Sequence, residues 1–92
     1  MQIKQNGVAV LQFSATWCMP CKTISPILES LKPQFTDVEF YKVDSDANKE
    51  LFAEYKVTAV PTLIFLKDGV EQKRMIGLQN KSTITTCLKS LS

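Results

Sequence analysis

The chain has 92 residues, of which 45% are hydrophobic, and it carries a formal net charge of +2. This length predicts a single domain, residues 1–92, with one modest core, and the scattered basic residues argue against a nucleic-acid-binding surface. Three cysteines and no histidine exclude a Cys–His nucleophile, and they supply too few ligands for a structural zinc site within one chain.

The first third of the sequence predicts a strand followed by a helix. Residues 8–13 (VAVLQF) form an apolar run with one polar interruption, which is typical of a strand covered on both faces. Residues 18–32 carry apolar side chains at helical spacing on one face. Pro20 lies in the first turn, where proline is tolerated, and Pro33 marks the end of this helix.

The middle of the sequence predicts a second strand and a second helix. The strand covers residues 38–43 (VEFYKV), and the helix covers residues 47–56 with Ser45 or Asp46 as its N-cap. The buried side of this helix contains Leu51, Phe52 and Tyr55.

The last third predicts a hairpin and a closing helix. Residues 62–66 (TLIFL) form an apolar strand, Asp68-Gly69 gives a hairpin turn, and residues 71–76 (EQKRMI) form a polar edge strand. Asn80 caps a final helix whose inward face contains Ile84, Cys87, Leu88 and Leu91. The order is therefore β-α-β-α-β-β-α, an α/β architecture in which helices sandwich a mixed sheet of four strands.

The segment Cys18-Met19-Pro20-Cys21, at the start of the first helix, carries the chemistry. Two cysteines at this spacing can close into a disulfide or open into a dithiol. The unpaired N–H groups and the positive dipole end of a helix N-terminus stabilise a thiolate. This combination predicts a redox-active pair, whereas Cys87 lies on an apolar helix face and is expected to be a core residue.

Four sequence features together resemble the thioredoxin family. Residues 13–22 (FSATWCMPCK) resemble its F-x-A-x-W-C-G-P-C-K signature, and residues 60–62 (VPT) match its cis-proline segment. Residues 67–69 (KDG) and Gly77 fall where the family has its hairpin turn and a glycine beside the active site. The resemblance implies a thioredoxin-like three-layer sandwich and reduction of protein disulfides by dithiol exchange.

On this resemblance, Cys18 is the nucleophile and Cys21 is the resolving thiol. Cys18 stands at the mouth of the helix, where its sulfur is expected to reach solvent, and Cys21 lies one turn further in. Cys18 attacks a substrate disulfide, and Cys21 then attacks the mixed disulfide and releases the product. Met19 and Pro20, between the two cysteines, are expected to tune the reduction potential.

The resemblance also implies a substrate-binding surface made of Trp17, Val60, Pro61 and Gly77. Trp17 directly precedes the reactive cysteine and is expected to contact docked substrates. The Val60–Pro61 peptide bond is expected to be cis, and the backbone of Val60 is expected to hydrogen-bond an extended substrate.

The sequence departs from the family pattern in three places. Residues 1–7 precede the first strand where the family has a further strand and helix, so strand 38–43 is expected to be less protected at the sheet edge. Met19 replaces the usual glycine. Gln12 occupies the position of a buried acid that deprotonates the second cysteine, and an amide cannot accept that proton. Gln12 is therefore expected to slow the resolving step.

The expected protein is a cytoplasmic monomer, re-reduced by a thioredoxin-reductase-type electron donor. No apolar stretch approaches the roughly 18 to 20 residues of a membrane span, and the N-terminal residues lack the apolar run of a signal peptide. We expect no metal, and no cofactor beyond the Cys18–Cys21 disulfide. Three alternatives remain open: a glutaredoxin-like or oxidase-like redox protein of the same fold, a thioredoxin-fold binding subunit, and a metal or cluster bridged between two copies through Cys18 and Cys21.

Overall fold

The computed structural model describes residues 2–91. Its elements are β1 (Val8–Ser14), α1 (Met19–Leu31), β2 (Glu39–Asp44), α2 (Lys49–Glu54), β3 (Thr62–Lys67), β4 (Val70–Ile76) and α3 (Lys81–Leu91). A short 3-10 helix, Lys32–Gln34, continues α1. The predicted order of strands and helices is confirmed. Within residues 2–91, no helix has the length and apolar character needed to cross a membrane.

The four strands form one mixed sheet in the order β2-β1-β3-β4. β1 pairs in parallel with β2 and antiparallel with β3, and β3 pairs antiparallel with β4. Every residue of β1 is buried, because this strand has a neighbour on each side and helices over each face. β2 lies at one edge of the sheet, as predicted.

Side chains alternate between the two faces of the sheet and form a core on each. The core under α1 and α3 contains Val10, Leu63, Phe65, Ile24, Leu28, Ile84 and Leu88. The core under α2 contains Leu11, Phe13, Val43, Ile64 and Leu66, with Leu51, Phe52 and Tyr55 packed against it. Phe13 and Phe52 meet edge to face, with ring centroids 4.9 Å apart. The predicted three layers, helix, sheet and helix, are confirmed.

The predicted hairpin turn joins β3 to β4. Asp68 and Gly69 have φ values of 52° and 81°, the positive values that a tight type I′ turn requires. The turn is also tied to the start of β1, since Asp68 N donates to Gly7 O at 2.8 Å and Gly7 N donates to Asp68 Oδ1 at 2.8 Å. This contact holds the hairpin against the central strand.

The N-terminus of α2 differs from the prediction. The helix begins at Lys49 rather than after Ser45 or Asp46. Asp44 Oδ1 accepts the backbone N–H of Asp46 at 2.8 Å and that of Ala47 at 3.4 Å. This side chain therefore builds a turn after β2 in the place where the first helical turn was expected.

Candidate active site

The start of α1 places Cys18 at the N-cap position. Its backbone is extended (φ −88°, ψ 112°), and its Sγ accepts a hydrogen bond from the backbone N–H of Cys21 at 3.2 Å. This is the geometry of a serine or aspartate N-cap, with sulfur in place of oxygen. A thiolate accepts such a bond more strongly than a thiol does, and the positive end of the helix favours it further. The local fold therefore stabilises the reactive form of Cys18.

Pro20 fits this helix start without loss of a helical hydrogen bond. It lies in the first turn of α1, where the backbone N–H groups have no partner within the helix. The same residue withholds one N–H from the sulfur of Cys18. Pro20 thus limits how many backbone donors can stabilise the thiolate.

Cys18 and Cys21 form a disulfide bond, with their Cα atoms 5.3 Å apart. The exposed fraction is 3% for Cys18 and 2% for Cys21. The expectation that the Cys18 sulfur is open to solvent is therefore wrong for this oxidised form. The reason is packing, because Ala15 and Val60 lie against the disulfide.

The loop before β3 brings Val60 to the disulfide, and Gly77, which follows β4, is bonded to Pro61 in the same loop. The Val60–Pro61 peptide bond is cis, as the resemblance implies. Val60 packs against the cluster that contains both cysteines, and Gly77 N donates to Pro61 O at 2.8 Å. Of the four residues predicted to bind substrate, Val60 therefore lies against the redox pair, and Pro61 and Gly77 are joined to each other next to it.

Two large apolar side chains beside the cysteines are exposed. The exposed fraction is 73% for Trp17, the fourth predicted substrate-binding residue, and 68% for Met19. Ile76 and Leu78, on either side of Gly77, are also exposed and were not predicted as site residues. Their position next to that glycine, at the end of an otherwise polar strand, is the signal that could have identified them. Exposed apolar residues of this size often mark a contact surface.

Gln12 is buried beneath the active site and takes part in a hydrogen-bonded chain. Its Nε2 donates to Ser25 Oγ at 2.8 Å, and Ser25 Oγ donates to Cys21 O at 2.9 Å. This chain ties β1 to the first turn of α1. Ser25 was not predicted as a site residue, although its place one turn after Cys21 points toward the same region.

A groove of about 250 Å³ lies beside Cys21. Cys21 lines it together with three charged residues, Lys22 from α1 and Lys42 and Asp44 from β2. Lys22 is exposed, as predicted. Lys42 and Asp44 were not predicted as site residues, although their alternate positions on one strand place them on the same face of the sheet.

Cys87 lies outside the disulfide, on α3. It is half-buried and packs against the core under α1 and α3, so the prediction of a core residue holds only in part. Burial raises the pKa of the Cys87 thiol, and the charge of Lys73 opposes this in part. The thiol is therefore protonated at neutral pH and is a weak nucleophile.

The disulfide is the redox group that this structure contains. Among residues 2–91, no three His, Cys, Asp or Glu side chains are grouped closely enough to hold a metal ion. The groups that the structure brings together at the site are two sulfur atoms, a helix N-terminus and the polar groups around Cys21.

Comparisons with known proteins agree with this geometry. Residues 1–90 match the family model described as Thioredoxin. The chain is 39% identical over 79 residues to a thioredoxin of Chlamydia trachomatis, covering 86% of this chain and 78% of that protein. It is 38% identical over 87 residues to Thioredoxin H-type 1 of Nicotiana tabacum, covering 95% of this chain and 69% of that protein.

The fold is also that of solved thioredoxins. The Fasciola hepatica thioredoxin matches with a TM-score of 0.88 and 40% identity, covering 96% of this chain and 85% of that chain. Mitochondrial thioredoxin 3 of Saccharomyces cerevisiae matches with a TM-score of 0.87 and 40% identity, covering 96% and 82%. With the Cys18–Cys21 pair, these similarities support thiol–disulfide oxidoreductase activity of the protein-disulfide reductase type. The chain therefore belongs to the thioredoxin family.

Proposed function

We propose that residues 1–92 act as a single-domain electron carrier that reduces disulfides in other proteins, with Cys18 as the nucleophile and Cys21 as the resolving thiol. The observation that carries this assignment is the hydrogen bond from the Cys21 backbone N–H to Cys18 Sγ at 3.2 Å. A sulfur at a helix N-cap is stabilised as a thiolate, and the thiolate is the attacking species. Cys21 supplies the donor of that bond, so the helix start favours ionisation of Cys18.

The reaction proceeds in two exchange steps. The Cys18 thiolate attacks one sulfur of a substrate disulfide, an S–S bond forms between them, and the other substrate sulfur leaves as a thiolate with the electron pair. Cys21 then loses its proton and attacks Cys18. The Cys18–Cys21 disulfide forms, and the second substrate sulfur leaves as a thiolate. The substrate gains two electrons, and the protein is left in the disulfide form that the structure describes.

An extended segment of the substrate docks over Val60, Pro61 and Gly77. Val60 lies against the disulfide, and Gly77 is hydrogen-bonded to Pro61. The backbone of Val60 pairs with the substrate backbone, and Trp17 contributes an exposed apolar surface next to Cys18 in the chain. Docking on this surface brings a substrate disulfide to sulfur atoms that are nearly buried in the free protein.

Met19, Pro20 and Gln12 tune the reaction. Pro20 removes one backbone donor from the thiolate, which affects the balance between the dithiol and the disulfide. Met19 stands exposed between the cysteines, so Met19→Gly should shift the reduction potential measured against glutathione. Gln12 supplies an amide where an acid would take up the Cys21 proton.

The working cycle needs partners but no bound cofactor. Disulfide-containing proteins are the substrates, and an electron donor of the thioredoxin-reductase type restores the dithiol. The protein works as a cytoplasmic monomer, without a nucleic acid, metal or membrane partner. The similarity to thioredoxins of Chlamydia and to plant H-type thioredoxins supports this setting.

A trapping experiment tests the proposed roles of the two cysteines. In a Cys87→Ser background, the Cys21→Ser variant should accumulate mixed disulfides on Cys18, because the resolving thiol is absent. The matched Cys18→Ser variant should accumulate no mixed disulfides. The protein with both active-site cysteines should reduce insulin disulfides with turnover when a thioredoxin reductase is supplied. Equal trapping on Cys21 in the Cys18→Ser variant would overturn the assignment. If the unmodified protein fails to reduce insulin disulfides, the proposed function itself is wrong.

A further inference from the structure

We propose that the Cys21 proton leaves through the groove beside β2, where Asp44 accepts it through a water molecule and Lys42 stabilises the resulting thiolate. This inference rests on the proposed function, because it concerns the resolving step alone. It assigns a proton route that does not use position 12.

Gln12, beneath the active site, is unsuited to accept the proton of the Cys21 thiol. The Gln12 side-chain amide donates from Nε2 to Ser25 Oγ at 2.8 Å, and a neutral amide is not a base at physiological pH. Ser25 in turn uses its hydroxyl hydrogen to bond Cys21 O at 2.9 Å. This chain fixes the position of the helix turn that carries Cys21, and it leaves the proton to be accepted elsewhere.

The sheet register brings the groove residues to one place. Gln12 pairs with Lys42, and Ser14 pairs with Asp44, across the parallel strands β1 and β2. Residues two apart on a strand share a face, so Lys42 and Asp44 both face the side covered by α1, where Cys21 lies. The carboxyl ends of these two parallel strands thus form the floor of the groove.

The groove has the volume and the charges that the step needs. Its volume of about 250 Å³ is enough for several water molecules. The charged groups that line it beside Cys21 are Lys22 from α1 and Lys42 and Asp44 from β2. The two lysines favour a thiolate at Cys21. The Asp44 carboxylate is the one base among the titratable groups that line the groove.

Asp44 is held in place at the end of β2. Its Oδ1 accepts the backbone N–H of Asp46 at 2.8 Å and that of Ala47 at 3.4 Å. The carboxylate is therefore held in the lining of the groove, where it can bond a water molecule that also reaches Cys21. In the step, the Cys21 S–H proton passes to this water as the water gives a proton to Asp44. The Cys21 thiolate then attacks Cys18, and the substrate thiolate leaves with the electron pair.

The test compares Asp44→Asn with Asp46→Asn in a single turnover of the reduced protein with insulin. The amide introduced by Asp44→Asn keeps an oxygen for the backbone N–H groups, so the turn is retained, and Asp46 is an exposed neighbour that does not line this groove. General base catalysis contributes typically 10²- to 10⁴-fold, so the resolving step of Asp44→Asn should slow by at least about tenfold at pH 7. The attack by Cys18 should keep its rate, and Asp46→Asn should match the unmodified protein.

A pH profile separates a proton acceptor from a residue that only supports the fold. The deficit of Asp44→Asn should shrink above about pH 9, where free thiols ionise without a base. Lys42→Gln should raise the pH at which half of Cys21 is a thiolate, measured by thiolate absorbance in a Cys18→Ser, Cys87→Ser background.

Three results would overturn the inference while leaving the proposed function intact. They are an unslowed Asp44→Asn variant, a deficit that is equal at every pH, and an equal deficit in Asp46→Asn. Failure of the unmodified protein to reduce insulin would instead contradict the proposed function.

Discussion

Replacing Gly77 with alanine should have two effects that can be measured separately. Backbone strain should lower the free energy of unfolding, and obstruction of the docking surface should lower the activity toward protein substrates. Gly77 has a φ of 89°, which an L-residue adopts at a cost of about 1–2 kcal/mol. A Cβ built at this position meets no heavy atom within 4 Å, so steric crowding adds nothing in the free protein. Alanine also lowers the conformational entropy of the unfolded chain, which raises the free energy of unfolding by about 0.4–1 kcal/mol. The net loss of unfolding free energy should be about 1 kcal/mol.

The effect on activity should depend on the size of the substrate. The space above Gly77 is where the proposed function places an extended protein segment, so a methyl group there obstructs insulin more than a small aromatic disulfide. We expect turnover with insulin to fall by about tenfold, equivalent to about 1.4 kcal/mol, whereas the small disulfide loses less than about twofold. Urea titration measures the stability, and reduction assays with the two substrates measure the selectivity.

A matched control is available in the hairpin turn. Gly69 has a φ of 81°, so Gly69→Ala imposes a similar backbone strain at a position remote from the cysteines. Its Cβ would also meet the flexible Gln5 side chain, with Oε1 at 2.5 Å, so Gly69→Ala should lose at least as much stability as Gly77→Ala. The control should lose stability and keep the same ratio of the two activities as the unmodified protein. If Gly77→Ala lowers both activities equally, or if it alters neither, the docking surface does not include this glycine.

Four further predictions test other contacts. Ser25→Ala leaves the buried Gln12 amide without its 2.8 Å acceptor and should lower the free energy of unfolding by about 1–3 kcal/mol in urea; no loss would mean that another partner replaces the hydroxyl. Gln12→Asp supplies an acid and should speed the resolving step near neutral pH, and an unchanged rate would show that the missing acid is not limiting. Arg74 donates to Tyr55 O at 2.6 Å at the end of α2, so Arg74→Gln should cost about 1 kcal/mol in urea, and a neutral result would contradict a capping role. With the active-site cysteines replaced by serine, iodoacetamide should modify Cys87 with a midpoint above the ordinary pKa of a cysteine thiol, because burial raises this pKa; a midpoint below it would contradict the burial.

The sequence predicted the elements whose signals are local. The apolar run of residues 8–13 identified a strand covered on both faces, and Asp68-Gly69 identified a turn whose two φ values are positive. The spacing of Cys18 and Cys21 at a helix start identified the redox pair. Each of these depends on residues within a few positions of one another, so one stretch of sequence contains the whole signal.

The features that were missed depend on contacts across the sheet or between layers. Ser25 lies on α1 and becomes a site residue because it meets Gln12 from β1. Lys42 and Asp44 reach the groove through the register between β1 and β2, which residue types alone do not reveal. The side chain of Asp44 also displaced the start of α2, since it bonds the backbone that a helix would otherwise use.

The different behaviour proposed for the two cysteines follows from their positions in the helix and not from their exposure. The exposed fractions, 3% and 2%, are too similar to make one sulfur reactive and the other not. In the disulfide, Cys18 Sγ at the N-cap accepts a backbone N–H at 3.2 Å, and the same donor favours a thiolate once the bond is reduced. Cys21 gives that donor, and its proposed activation comes instead from the charged side chains of the groove that it lines. Because the two sulfurs are activated by different groups, substitutions in the groove should change the resolving step and leave the first attack unaltered.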